Sequence, residues 1–143
     1  MSDYERAIRI AATPRKVFET LTDVTEFAGW WAPATGSARD GGELRIFFEG
    51  IPQPLLLQVK AAAPASGLAW HVTACDFMPD WAGTTIRITI DPAADGGCDT
   101  TLRHEGLTPR LECYDMCRAG WDQYVPSLRD YVETGAGHPY QPR

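Results

Sequence analysis

The chain has 143 residues and a formal net charge of −6 at pH 7, long enough for one domain with a substantial core and of the wrong sign for nucleic acid or an anionic membrane surface as partner. Lysine occurs only at Lys16 and Lys60, and the arginines are scattered, so no basic cluster offsets that sign. No apolar run approaches the roughly 20 residues that insert across a bilayer, and the N-terminus, with Asp3, Glu5, Arg6 and Arg9, lacks the apolar stretch of a signal peptide; the expected location is the cytoplasm.

In chain order, Tyr4 to Ala11 alternates and predicts a first strand, with the charges of an edge. Thr13-Pro14 is a helix start, and Val17, Phe18 and Leu21 give a short helix to about Thr22 its apolar face. Asp23 caps a second short helix through Phe27 and Ala28, ended by Gly29. Trp30 and Trp31 follow; adjacent tryptophans in regular structure point apart, so one is expected to anchor the helices and the other to face a groove or rim. Five alternating runs then predict strands: Leu44/Ile46/Phe48 after the Gly41-Gly42 turn, Leu55/Leu57/Val59/Ala61, Leu68/Trp70/Val72/Ala74, Ile86/Ile88/Ile90 and Cys98/Thr100/Leu102/His104. A turn is expected from Pro64 to Gly67, and a longer loop from Asp76 to Gly83 with Phe77, Met78 and Trp81. The opposite faces carry charges of both signs, which reads as a solvated surface.

Thr108 to Gly135 predicts one long amphipathic helix, capped at Thr108 with Pro109 in its first turn. Tyr114, Cys117, Trp121, Tyr124, Val125, Leu128, Tyr131 and Val132 share one stripe at 100° per residue. Pro126 interrupts the hydrogen-bond pattern, yet the stripe stays in phase across it, which favours one kinked helix over two. The predicted class is α+β, an antiparallel sheet wrapped around this helix, as a single domain over residues 1–135 with a loosely held tail over 136–143.

The candidate chemistry is sparse. His104 shares the inward parity of Leu102, where an imidazole can serve as a general base, orient a ligand carbonyl, or be a core histidine hydrogen-bonded to a backbone carbonyl or to Tyr114 or Tyr124. Asp76 and Asp80 flank the aromatic loop as candidate acids, as partners for a cationic group, or as loop-shaping residues. Trp31, Trp70, Phe77, Trp81, His104, Trp121, Tyr124 and Leu128 are the candidate ligand-binding residues; the aromatic ones serve equally as core. Cys75, Cys98, Cys113 and Cys117 lack metal-ligand spacing and are expected as free thiols, so neither a metal nor another cofactor is expected. A Cys98–His104 couple is ruled out by a separation along the strand of about 20 Å. Motifs of serine hydrolases, zincins and nucleotide enzymes are absent.

The ordered set of landmarks carries a resemblance. Ile8-x-Ile10-x-Ala12-x-Pro14-x-x-Val17-Phe18-x-x-Leu21-Thr22-Asp23, then Trp30-Trp31, Gly41-Gly42-Glu43-Leu44-Arg45, Trp81-x-Gly83-Thr84, Leu102-x-His104-x-Gly106-Leu107, Gly120-Trp121 and Gly135 together resemble the family of homologues of the activator of heat-shock-chaperone ATPase. That family belongs to the START/birch-pollen-allergen (SRPBCC) superfamily; Pro126 departs from its pattern. The resemblance covers nearly the whole chain and implies a helix-grip fold with a cavity between sheet and helix. It implies binding of a small hydrophobic or aromatic molecule. The alternatives are a cyclase-type enzyme using His104 with a pocket tyrosine or Asp76, and a co-chaperone-like protein-binding module, with a homodimer possible.

Overall fold

The computed structural model describes residues 3–63 and 66–140. The expected side-chain direction of Ala61, the Pro64-Ala65 part of the next turn, and the end of the tail with Pro142 lie outside the described residues and side chains.

The N-terminal part follows its local signals. Strand β1 is Tyr4–Ile10. Helix α1, Pro14–Leu21, is capped by Thr13, whose hydroxyl accepts the Lys16 amide at 3.2 Å. The Asp23 carboxylate accepts the Thr25 amide at 3.0 Å and starts a 3-10 turn, Val24–Glu26, that runs into helix α2, Phe27–Trp30. Gly29 therefore lies inside α2 and does not end it. A Cβ there would collide with the Tyr131 ring, so the glycine permits the close approach of the C-terminal helix.

Six further strands follow: β2 Ala34–Gly36, β3 Glu43–Ile46, β4 Leu55–Ala63, β5 Gly67–Ala74, β6 Thr85–Pro92 and β7 Cys98–Glu105. They form one antiparallel sheet in the order β1-β7-β6-β5-β4-β3-β2, which puts β1 at an edge. β2 was not predicted: none of its residues is buried, so it has no alternation to read. Register shifts between Leu56 and Leu57 and between Lys60 and Ala63 interrupt the β4–β5 ladder; irregularities of this kind bend a strand and increase local twist. Inward residues such as Leu44, Leu57, Trp70, Ile86 and Leu102 are buried as their parity predicts.

The C-terminal helix α3 is Tyr114–Thr134 and starts later than the Thr108-Pro109 signal suggests. The reason lies upstream. Gly106 turns the chain at φ +99°, and Leu107 is fully buried with its carbonyl accepting the Tyr4 amide at 2.8 Å. The chain is thus anchored to β1 first, and Thr108 spends its carbonyl on the Leu111 amide at 3.0 Å, in a turn. The helix then continues through Pro126 to a left-handed Gly135 at φ +85°.

One expectation holds and another is corrected. Trp30 and Trp31 are both buried, at 1% exposure each, with Trp30 in the core and Trp31 also bordering a recess at the outer end of the core. Trp31 leaves helical geometry (φ −126°, ψ −80°), so the directions of regular structure do not apply to the pair. Their rings pack with Phe27 and Trp70 at centroid distances of 5.6–6.4 Å. The tail, through Tyr140, is tied down. Ser127 Oγ accepts the His138 amide at 2.6 Å and donates to the Trp30 carbonyl at 2.8 Å. The Tyr140 amide donates to the Trp31 carbonyl at 2.7 Å, and the Tyr140 ring meets Phe48 edge-on at 5.1 Å.

Candidate functional site

His104 is fully buried and both ring nitrogens are engaged. The Trp121 indole N–H donates to Nδ1 at 3.0 Å. Nδ1 must then be the bare nitrogen, which leaves the proton on Nε2 to be donated to Thr84 Oγ1 at 2.8 Å. The Thr84 hydroxyl passes its own proton to the Trp81 carbonyl at 2.6 Å. The partners are Thr84 and Trp121, not the backbone carbonyl or the tyrosines expected. Burial lowers the His104 pKa to about 4, outweighing the opposite pull of Asp3. The imidazole is therefore neutral near pH 7 and fixes two tryptophans: Trp81 meets it edge-on at 4.6 Å, and Trp121 stacks on Trp81 at 6.0 Å.

Those tryptophans form one wall of a recess of about 340 Å³ at the outer end of the core. The loop after β5 supplies Phe77, Met78 and Trp81; α3 supplies Met116, Cys117, Gly120, Trp121 and Tyr124; Trp31, Phe48, Ile51 and Tyr140 complete it. Of the predicted residues, Trp31, Phe77, Trp81, Trp121 and Tyr124 meet here. Trp70, His104 and Leu128 do not: Trp70 lies in the central ring cluster, His104 sits behind Trp81 and Trp121, and Leu128 is buried further along α3. Asp76 and Asp80 are exposed on the loop and do not line the recess. Parity already turned Phe48 inward, and Met78 already stood in the aromatic loop. Tyr140 carried no signal, because backbone bonds of the tail bring it there.

Most polar groups of the wall are occupied. The Trp81 indole donates to Cys117 Sγ at 3.0 Å, Trp121 serves His104, and the Tyr140 hydroxyl donates to the Glu49 carbonyl at 3.2 Å. Burial, with Cys113 adjacent, pushes the Cys117 thiol up to about 12, so it is a protonated, weakly polar lining group. The Tyr124 hydroxyl and the Trp31 indole N–H have no hydrogen-bond partner among the described residues; burial raises the Tyr124 pKa to about 12. Gly120 is unusual in another way. Mid-helix glycine costs about 0.5–1 kcal/mol relative to alanine, yet a Cβ there would meet nothing closer than Tyr124 Cε2 at 3.6 Å.

Two larger hollows beside α1 are lined by residues such as Arg15, Glu19, Asp23 and Arg39; mixed charges of this kind suit water better than an apolar molecule. No group of three or more His, Cys, Asp or Glu among the described residues is arranged to hold a metal ion, and all four cysteines are free thiols.

A seven-stranded antiparallel sheet packed on one long C-terminal helix, with short helices after the first strand, defines an α+β helix-grip protein. The family model described as "Activator of Hsp90 ATPase homolog 1-like protein" matches residues 11–133, and the chain belongs to that family. No curated protein matches the sequence. Among solved structures, the Aha1 dimer of Colwellia psychrerythraea is similar at 23% identity and TM-score 0.80, over 96% of this chain and all of that one. Protein SSP2350 of Staphylococcus saprophyticus is similar at 16% identity and TM-score 0.76, over 97% of each chain. DynU16, described as a putative protein in the dynemicin biosynthetic locus, is similar at 19% identity and TM-score 0.74, over 96% of this chain and 49% of that one. At these identities the likeness is one of fold.

Proposed function

We propose that this protein binds a small, largely apolar molecule in the recess between the loop after β5, the first turns of α3 and the tail. The observation that carries this reading is the recess itself: its volume falls at the lower end of small-molecule sites, and its lining is aromatic rings, Ile51, two methionines, Gly120 and the Cys117 thiol. A side-chain-filled core runs up to it and stops. DynU16, a relative in fold, comes from a biosynthetic locus, a setting in which small molecules are handled.

The cyclase-type reading draws no support from His104, whose two nitrogens are spent on Trp121 and Thr84 and which does not border the recess. A homodimer and a chaperone partner rest on the Colwellia relative and the family description, and no feature of this surface favours them over the recess. The cytoplasmic location stands as part of the same proposal.

The test is titration with the fluorescent probe 1-anilinonaphthalene-8-sulfonate, comparing the native chain with Gly120→Leu, whose side chain would enter the recess. One saturable site, weakened at least tenfold in a Gly120→Leu variant with native circular dichroism, is expected. Equal binding by the folded variant sinks the proposal.

A further inference from the structure

Resting on that reading, we infer that the occupant is a flat aromatic molecule bearing one hydrogen-bonding oxygen, laid on the bare helix surface at Gly120 with its oxygen at the Tyr124 hydroxyl. Two independent features of the wall point this way. The first is the unmet hydroxyl. Most other polar groups here have settled partners, Trp81 on Cys117, Trp121 on His104 and Tyr140 on the Glu49 carbonyl; the Trp31 indole N–H, a donor only, is the other group of the wall without a partner among the described residues. Tyr124 stands between Trp31 and Trp121, at centroid distances of 6.2 and 6.3 Å, with its hydroxyl free among the described residues. Such a group gains from a ligand oxygen and loses when an apolar surface covers it.

The second feature is the glycine one turn before Tyr124. Packing does not require it, since an alanine methyl would meet only Tyr124 Cε2, at 3.6 Å. The turn does not require it either, because its backbone is regular helix and its φ is not positive. Helix propensity argues against it. What a glycine gives here is a flat patch of backbone beside an aromatic ring, inside a recess whose other walls are mostly rings, with Ile51, Met78, Met116 and Cys117. Rings and thioethers favour the faces and edges of aromatic molecules. A stability-lowering residue that opens space at a wall is accounted for by what fills the space.

The experiment compares two probes of nearly equal shape, 2-naphthol and naphthalene, by isothermal titration against the native chain, Tyr124→Phe and Gly120→Ala. We expect 2-naphthol to bind about fivefold more tightly than naphthalene, the value of one neutral hydrogen bond, and Tyr124→Phe to reduce it to the level of naphthalene. We expect Gly120→Ala to raise the melting temperature by about 3 °C while weakening both probes severalfold. Equal binding of the two probes, indifferent to Tyr124→Phe, overturns the inference and leaves the recess as a plain apolar site. Undiminished binding by a stabilised Gly120→Ala overturns the role given to the glycine. If neither probe binds the native chain, the recess reading itself fails and takes the inference with it.

Discussion

The centre of this molecule and its open end are built from the same kind of residue and treated very differently. In the centre, Phe27, Trp30, Trp31 and Trp70 fill the space between α2 and the sheet, yet the Trp30 and Trp70 indole N–H groups have no acceptor among the described residues, a cost of roughly 1–3 kcal/mol each. At the open end, Trp81 and Trp121 have both N–H groups matched, to Cys117 and to His104. The centre tolerates loose polar accounting because buried ring area dominates there. The recess wall fixes ring orientation through directional bonds, which is what a surface presented to a ligand needs. Trp31 belongs to both regions, stacked on Trp70 at 5.8 Å and lining the recess.

This contrast can be broken most forcefully at Trp70. Trp70→Ala removes a fully buried ring from the centre, and a loss of about 3–5 kcal/mol in urea unfolding is expected; a loss under about 1 kcal/mol would mean that the centre is not the main source of stability.

The second prediction concerns His104. Its folded pKa of about 4 lies below the ordinary histidine value of 6.5, so the unfolded chain takes up a proton that the folded chain refuses. Stability from this group is complete above pH 6.5 and is lost as pH falls towards 4, by roughly 3 kcal/mol. A His104→Gln variant should lose that segment of the stability–pH curve. An unchanged acid slope would show that the imidazole does not carry it.

The smallest expected effect is at Met116, which lines the recess but is 65% exposed. Met116→Gln should shift stability by less than about 0.5 kcal/mol while weakening 1-anilinonaphthalene-8-sulfonate severalfold. A stability loss as large as a core substitution's would erase the distinction between the two regions.

Much of the fold was legible because it rests on short-range patterns. Strand parity placed His104 inward beside Leu102, Thr13 and Asp23 announced their caps, and Gly135 marked the end of α3. What escaped depends on long-range contacts. Thr108-Pro109 has the chemistry of a helix start, but Leu107 is already committed to Tyr4. β2 is specified by pairing of Ala34 with Ile46 and Gly36 with Leu44, not by its own side chains. At the recess, periodicity identified inward-facing aromatics but could not say which would be covered by core and which would line the recess; Trp70 went to the first and Tyr124 to the second.

The pairing of β1 with β7 has a kinetic consequence. Tyr4 lies opposite His104 and Ile10 opposite Cys98, so the first strand made has no partner until nearly three-quarters of the chain exists. During synthesis β1 must wait as an unpaired strand, with Tyr4 and Ile10 uncovered, and closing that long loop comes late. Folding is thus expected to be slow for a domain of this size, and nascent chains ending before β7 should be the form most prone to aggregate.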